Sequence, residues 1–109
     1  MLNADESRAI PPIAELLAER ELISGWEYDA QLVFGDGSLK RIALRLSWAD
    51  YHHWSPDGGA APSHVANAVL RFITAHVEQF AGMELIDAST ARRRVEGADH
   101  EIRAMLRGE

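Results

Sequence analysis

With 109 residues, 47% hydrophobic and 26% charged, the chain is long enough for one folded domain and too ordinary in composition to be disordered. The absence of cysteine excludes disulfides, thiolate metal sites and cysteine nucleophiles. A net charge of −6, with no segment rich in Lys and Arg, disfavours nucleic-acid binding, because a phosphate backbone is neutralised by clustered cations.

The start of the chain is acidic and lacks the basic-then-apolar order of a signal peptide. No apolar run approaches the roughly 20 residues that a membrane-spanning helix needs. These features predict a cytoplasmic protein that does not bind membranes. We expect residues 1–109 to form a single domain, with residues 1–10 flexible because they are polar and terminal.

The first predicted element is a helix over about residues 12–23, in the stretch PPIAELLAERELISG. Pro12 suits a first helical turn. Ile13, Leu16 and Leu17 would lie on one face at helical spacing. An amphipathic helix is therefore expected ahead of the first strand.

Two strands are predicted next, over residues 26–34 and 39–48. In both, apolar and polar side chains alternate, which is the period of a strand with one buried and one solvated face. The residues predicted to be buried are Trp26, Tyr28, Ala30, Leu32 and Phe34 in the first strand and Ile42, Leu44, Leu46 and Trp48 in the second.

The turn GDGS between these strands selects the register of the hairpin. A two-residue turn would put Leu32 opposite Arg41, although cross-strand partners share a face and should share polarity. A three-residue loop ending at Gly37 puts Tyr28 opposite Leu44, with the glycine in a left-handed conformation. The sequence therefore predicts the three-residue loop.

Three further elements follow in the second half of the chain. The predictions are a helix over residues 63–81 capped by Ser63, a short strand over 83–86, and a last helix over 88–107. Glycine costs about 1 kcal/mol relative to alanine inside a helix, so Gly97 leaves the continuity of the last helix open.

This order of elements predicts an α+β fold, in which three helices pack against a small antiparallel sheet. A sheet with few strands leaves exposed edges. Pairing of an edge, or of the terminal helix, in a homodimer would cover them.

The stretch SWADYHHWSPDGG, residues 47–59, contains the residue types that bind metals or partners. Asp50, His52 and His53, with His64 at the start of the next helix, are candidate ligands for a divalent ion such as zinc. Adjacent His side chains diverge, however, and the zinc motif with two His on one helix face is absent. The sequence favours a structural loop, with a metal or catalytic site and an aromatic partner-binding patch as alternatives.

Tyr51 and Trp54 lie outside the alternation of the strands, and aromatic anchors are enriched at interfaces, so they are the candidate partner contacts. The sequence favours a non-enzymatic protein-interaction or regulatory module without a cofactor, which binds a protein partner or forms a homodimer. The alternative is a metal-binding protein or metal-dependent enzyme that uses Asp50, His52 and His53. No motif assigns a catalytic residue.

Two other groups of residues receive structural interpretations. His76 lies in the apolar stripe of the helix over 63–81 and is predicted to be a buried imidazole with one hydrogen-bond partner. The three arginines at positions 92–94 occupy successive helical positions and cannot all face one ligand. Ion pairs with Glu96, Asp99 or the acidic first helix are expected for them.

Overall fold

The computed structural model describes residues 12–108 and contains a four-stranded sheet in the order β1-β2-β3-β4. The strands are β1 (Ile13–Leu22), β2 (Gly25–Val33), β3 (Leu39–Ser47) and β4 (Leu85–Asp87). The helices are α1 (Trp48–Trp54), α2 (Pro62–Ala75), α3 (Ala88–Arg94) and α4 (Ala98–Leu106), with a 3-10 turn over Val77–Phe80.

The predicted α+β class, a sheet packed by helices, is confirmed. Across residues 12–108, no helix is both long and apolar enough to cross a membrane. The prediction that residues 1–10 are flexible lies outside the described residues.

Residues Ile13–Leu22 form a strand, so the predicted helix over residues 12–23 is wrong. Strand β1 pairs antiparallel with β2, and a bulge shifts the register between Leu16 and Ala18. Leu16 packs against the core, whereas Leu17, the extra residue of the bulge, is exposed, so the apolar residues that have helical spacing in the sequence lie on two faces of a strand. The residues of β1 are good helix formers, but pairing with β2 overrides that weak preference.

The hairpin of β2 and β3 has the predicted register. Phe34 N donates to the Ser38 carbonyl at 2.9 Å, which closes a three-residue loop. Gly37 in this loop has φ +87, the left-handed conformation that the turn requires. The predicted partners are all observed, with Trp26 opposite Leu46, Tyr28 opposite Leu44 and Glu27 opposite Arg45.

One face of the sheet is buried by the helices. Its side chains pack with the apolar side of α2 in one core cluster that includes Trp26, Tyr28, Ala30, Leu32, Ile42, Leu44, Leu46, Val65, Val69, Phe72 and Ile73. The opposite face carries ion pairs, in which Arg20 binds Glu27 and Asp29, and Arg45 also binds Glu27 at 2.7 Å. Hydrogen bonds from Arg20 lower the pKa of both carboxyls.

Two predicted helices are shorter than expected. The helix predicted over 63–81 begins at Pro62 and ends at Ala75 before the 3-10 turn. The predicted cap at Ser63 is wrong, because Ser63 lies inside the first turn and Ala61 is the cap residue. The helix predicted over 88–107 is two helices, because Val95 is extended and Gly97 takes a left-handed φ of 78. Gly97 is therefore the break that its low helix propensity left open.

The predicted strand over 83–86 is observed as β4, which covers Leu85–Asp87 and pairs with β3 in parallel. The sheet is therefore mixed, and the prediction of a purely antiparallel sheet is wrong. The reason is the long connection through α1 and α2, which returns the chain to the same end of the sheet and so imposes the parallel direction.

Candidate functional site

Helix α1 begins where β3 ends, and the Ser47 side chain caps its N-terminus. The Ser47 hydroxyl accepts from the Asp50 amide at 3.1 Å and donates to the Asp50 carboxylate at 3.2 Å. The first part of the predicted loop is therefore a seven-residue helix, Trp48–Trp54. Its two sides have different surroundings.

On one side of α1, a polar network joins the helix to α3 and α4. Arg92 is its centre, since Nη1 donates to Asp50 Oδ1 at 2.9 Å and Nε donates to Asp99 Oδ1 at 2.9 Å. Asp99 also accepts from Trp54 Nε1 at 3.1 Å, and its Oδ2 lies 2.9 Å from His53 Nε2. These five residues are called the Arg92 network below.

The electrostatics of this network favour its charged forms. Burial alone would raise the pKa of Asp99, but hydrogen bonds from Arg92 and His53 outweigh that effect and lower it. Burial likewise acts to lower the pKa of Arg92, and hydrogen bonds from Asp99 and Asp50 outweigh it and raise the value.

The Arg92 network has a structural role, because it holds helices α1, α3 and α4 together. Asp50 is 5% exposed, so its carboxylate depends on Arg92 for its charge partner. The Arg92 guanidinium also lies over the Trp54 ring, 5.6 Å from the ring centroid. The predicted ion pair of an arginine from 92–94 with Asp99 is observed for Arg92.

On the other side of α1, four aromatic rings are in contact. Trp48 packs on Trp26 of β2 with ring centroids 4.4 Å apart, and Tyr51 lies 5.3 Å from Trp26. The His52 imidazole stacks on Trp48 at 6.0 Å, with 25° between the ring planes. Tyr51 is fixed by a hydrogen bond from its hydroxyl to the Ala60 carbonyl. Trp48 is held among these rings and is still 47% exposed.

The structure reverses the predicted exposure of the aromatic residues in this stretch. Tyr51 and Trp54, the predicted partner contacts, are each 5% exposed, whereas Trp48 was assigned to the core. Trp48 is the first residue of α1 and no longer follows the alternation of β3. The S-x-x-D spacing of Ser47 and Asp50 is the sequence signal of this helix start.

The four candidate metal ligands lie in three different environments. Asp50 and His53 belong to the Arg92 network, and His52 stacks on Trp48 on the other side of α1. His64 Nε2 lies 3.3 Å from a backbone carbonyl oxygen at the end of α4. Across residues 12–108, no group of three or more histidine, aspartate and glutamate side chains is placed to hold a metal ion. The geometry therefore gives the metal-binding alternative no support.

The remaining histidines have structural surroundings. His64 lines an open groove of about 740 Å³ between the loop after α1 and the end of α4, together with Trp54, Pro56 and Leu106. His76 Nε2 lies 2.8 Å from Glu101 Oε2, and its side chain is 28% exposed. The single partner predicted for His76 is observed, although the ring is only partly buried.

No protein-family model, curated protein or solved structure matches this chain.

Proposed function

We propose that the protein is a non-enzymatic interaction module that binds a protein partner through an exposed aromatic surface. This surface, called the Trp48 surface, comprises Ile23, Trp48 and His52. The observation that carries the proposal is the 47% exposure of an indole that is packed on other rings. Tryptophan is among the residue types most enriched in the energetic centres of protein interfaces.

The Trp48 ring is pre-organised for binding. It rests on Trp26, which is itself 6% exposed, and His52 stacks beside it. A side chain held in this way loses little further conformational entropy when a partner covers it. The rigid ring therefore supports a role as the anchor of an interface.

The turn between β1 and β2 adds a second large apolar side chain. Ile23 is fully exposed, at 104% of its reference area. The Trp48 amide donates to the Ser24 carbonyl at 3.0 Å, which fixes this turn beside the start of α1. Scattered exposed apolar residues are ordinary, but large ones grouped at one end of a sheet are typical of binding surfaces.

The charges nearby indicate the chemistry of the partner. Glu19 and Glu21 are exposed on the side of β1 that faces the helices, since they pair with Tyr28 and Trp26. The whole chain carries a net charge of −6. We therefore expect a partner segment with an apolar side chain flanked by Lys or Arg, because opposite charges at the rim speed association and exclude other partners.

Site-specific photo-crosslinking tests this proposal. With benzoyl-phenylalanine in place of Ile23, the protein is expected to crosslink one discrete protein, which mass spectrometry then identifies. The matched control is the same substitution at Leu39, which is 62% exposed and lies at the opposite end of the sheet.

The proposal requires that the crosslink from Ile23 is lost in the Trp48→Ala variant and is not formed from Leu39. Equal crosslinking from both positions, or crosslinking from Ile23 that does not depend on Trp48, would contradict it.

A further inference from the structure

Among the described residues, strand β1 is an outer strand of the sheet with one unpaired edge. Its ten residues, Ile13–Leu22, pair with β2 on one side, and within residues 12–108 no strand pairs with the other side. The opposite outer strand, β4, has only three residues. A long edge presents a row of backbone N–H and C=O groups that favours pairing with another strand.

The bulge divides β1 into two halves of opposite alternation. Before it, Ala14 and Leu16 pack against the core; after it, Glu19 and Glu21 lie on that same side, opposite core residues of β2. Leu17, the extra residue of the bulge, is 40% exposed and does not belong to the core. The open face of β1 therefore carries Ile13, Glu15, Leu17, Ala18, Arg20 and Leu22.

We propose that two copies of this chain pair antiparallel along the open edges of β1, with the two-fold axis between Leu17 and Ala18. The two sheets then form one continuous sheet of eight strands. On the open face, the facing pairs are Ile13 with Leu22, Glu15 with Arg20, and Leu17 with Ala18 of the second copy. This inference goes beyond the proposed function and does not depend on the Trp48 surface.

The bulge makes this register self-complementary. Facing residues in a sheet must point to the same face. In a strand without a bulge, a two-fold axis between adjacent residues would set opposite faces against each other. Because the alternation of β1 reverses at the axis, all ten residues meet a partner on the same face.

The charges agree with this register. Arg20 already binds Glu27 and Asp29, but these bonds use Nη1 and Nη2 and leave Nε–H for a third carboxylate. Glu15 is exposed and has no hydrogen-bond or ion-pair partner within residues 12–108. On the helix side, Glu19 faces Leu16 of the second copy, so no carboxylate opposes a carboxylate.

The exposed apolar residues agree as well. Seven large apolar side chains are exposed within residues 12–108, and three of them, Ile13, Leu17 and Leu22, lie on the open face of β1. The dimer sets Ile13 against Leu22 at both ends and makes the two Leu17 side chains diagonal neighbours across the axis, each facing Ala18 of the other copy. An unrelated strand could use the same backbone edge, but this pattern of charge and apolar residues matches its own copy.

Charged variants at the axis test the proposal by sedimentation at micromolar concentrations. Wild type is expected to be a dimer, whereas Leu17→Lys and Leu17→Glu are each expected to be monomers, because like charges then meet at the axis. Mixing the two variants in equal amounts is expected to restore a dimer that contains one copy of each. This rescue separates lost pairing from lost folding, since a misfolded variant would not be rescued.

Cysteine pairs test the register, because the natural chain contains no cysteine. A mixture of Ile13→Cys and Leu22→Cys copies is expected to form a disulfide between them under oxidation, since facing residues lie within disulfide reach. Ile13→Cys alone is expected to stay uncrosslinked, because the two Ile13 positions lie roughly 30 Å apart in the dimer.

A wild type that stays monomeric, the absence of rescue on mixing, or a disulfide from Ile13→Cys alone would overturn the proposal. A dimer that is lost in Trp48→Ala would also overturn it, because the interface would then be the Trp48 surface. If Leu17→Lys is monomeric in sedimentation and the crosslink from Ile23 still forms, the proposed function is unaffected, because it depends on the Trp48 surface and not on β1 pairing.

Discussion

The two sides of helix α1 differ in solvent exposure: one side is a buried polar network and the other presents an exposed aromatic ring. On the side of the Arg92 network, Asp50 and Trp54 are each 5% exposed, and their polar groups are hydrogen-bonded to Arg92 and Asp99. On the other side, Trp48 packs on Trp26 and His52 but is 47% exposed. A satisfied, buried cluster stabilises the fold, whereas an ordered apolar ring in solvent adds little stability and is available to a partner.

The largest expected difference between the two sides is in the cost of removing an indole. Trp54→Ala should lower the free energy of unfolding by about 3–5 kcal/mol, because it leaves a cavity and removes a hydrogen bond to Asp99. Trp48→Ala should cost about 1 kcal/mol, since much of that ring is already in water. Urea unfolding of both variants measures these losses. Equal losses in the free energy of unfolding would show that the two indoles contribute equally to stability.

The next largest effect on stability is expected from replacing Arg92, the cation of the network. Arg92→Met should lower the free energy of unfolding by about 2–3 kcal/mol, because it leaves the buried Asp50 carboxylate without its partner. The matched control is Arg93→Met on the same helix, where the arginine is exposed and its hydrogen bond among the described residues is to Thr90. That control should change stability by less than about 0.5 kcal/mol. A similar loss in both variants would show that α3 tolerates any uncharged residue equally poorly.

At acid pH, the difference in the free energy of unfolding between wild type and Arg92→Met should become smaller. The pKa of Asp99 is lowered in the folded protein, so its stabilising contribution is present above the unfolded value of about 3.9 and is lost as the pH falls through the folded value. The difference in urea midpoint between the two proteins should therefore be constant near neutral pH and narrow below about pH 5. If the difference in urea midpoint stays constant down to about pH 3, then Arg92 does not stabilise the charged form of Asp99.

The smallest expected effect is that of added or removed metal ions on the Tm. His52 and His53 lie on different sides of α1, and His64 lies apart from both, so they do not share a site. Protein purified without a metal-affinity tag should show the same Tm with a chelator and with equimolar zinc. A rise in Tm with zinc that disappears in the His52→Ala, His53→Ala double variant would restore the metal-binding alternative.

The hairpin could be predicted from the sequence because its determinants are local. The alternation in β2 and β3 defines the buried face, and Gly37 selects the loop that keeps Tyr28 opposite Leu44. The strand β1 could not be predicted in the same way. Ile13, Leu16 and Leu17 have the spacing of a helix face, and the bulge after Leu16 interrupts the alternation that would have indicated a strand.

The candidate site was less predictable, because its partners are distant in sequence. The ion pair of Arg92 with Asp99 spans seven residues and was expected, but its bond to Asp50 spans 42 residues and no local pattern indicates it. The exposure of Trp48 was not predicted, although the S-x-x-D spacing of Ser47 and Asp50 is typical of a helix start rather than of a longer strand. The single domain, the homodimer and the cytoplasmic location remain predictions.

The most direct test of the account is the affinity of the crosslinked partner, once purified, for two folded variants measured by calorimetry. Trp48→Ala is expected to weaken binding by about thirtyfold or more, equivalent to about 2 kcal/mol, as for the anchor of an interface. Arg92→Met, measured where it is fully folded, is expected to bind like wild type. Unchanged affinity in Trp48→Ala together with loss in Arg92→Met would contradict the account and place the binding site on the other side of α1.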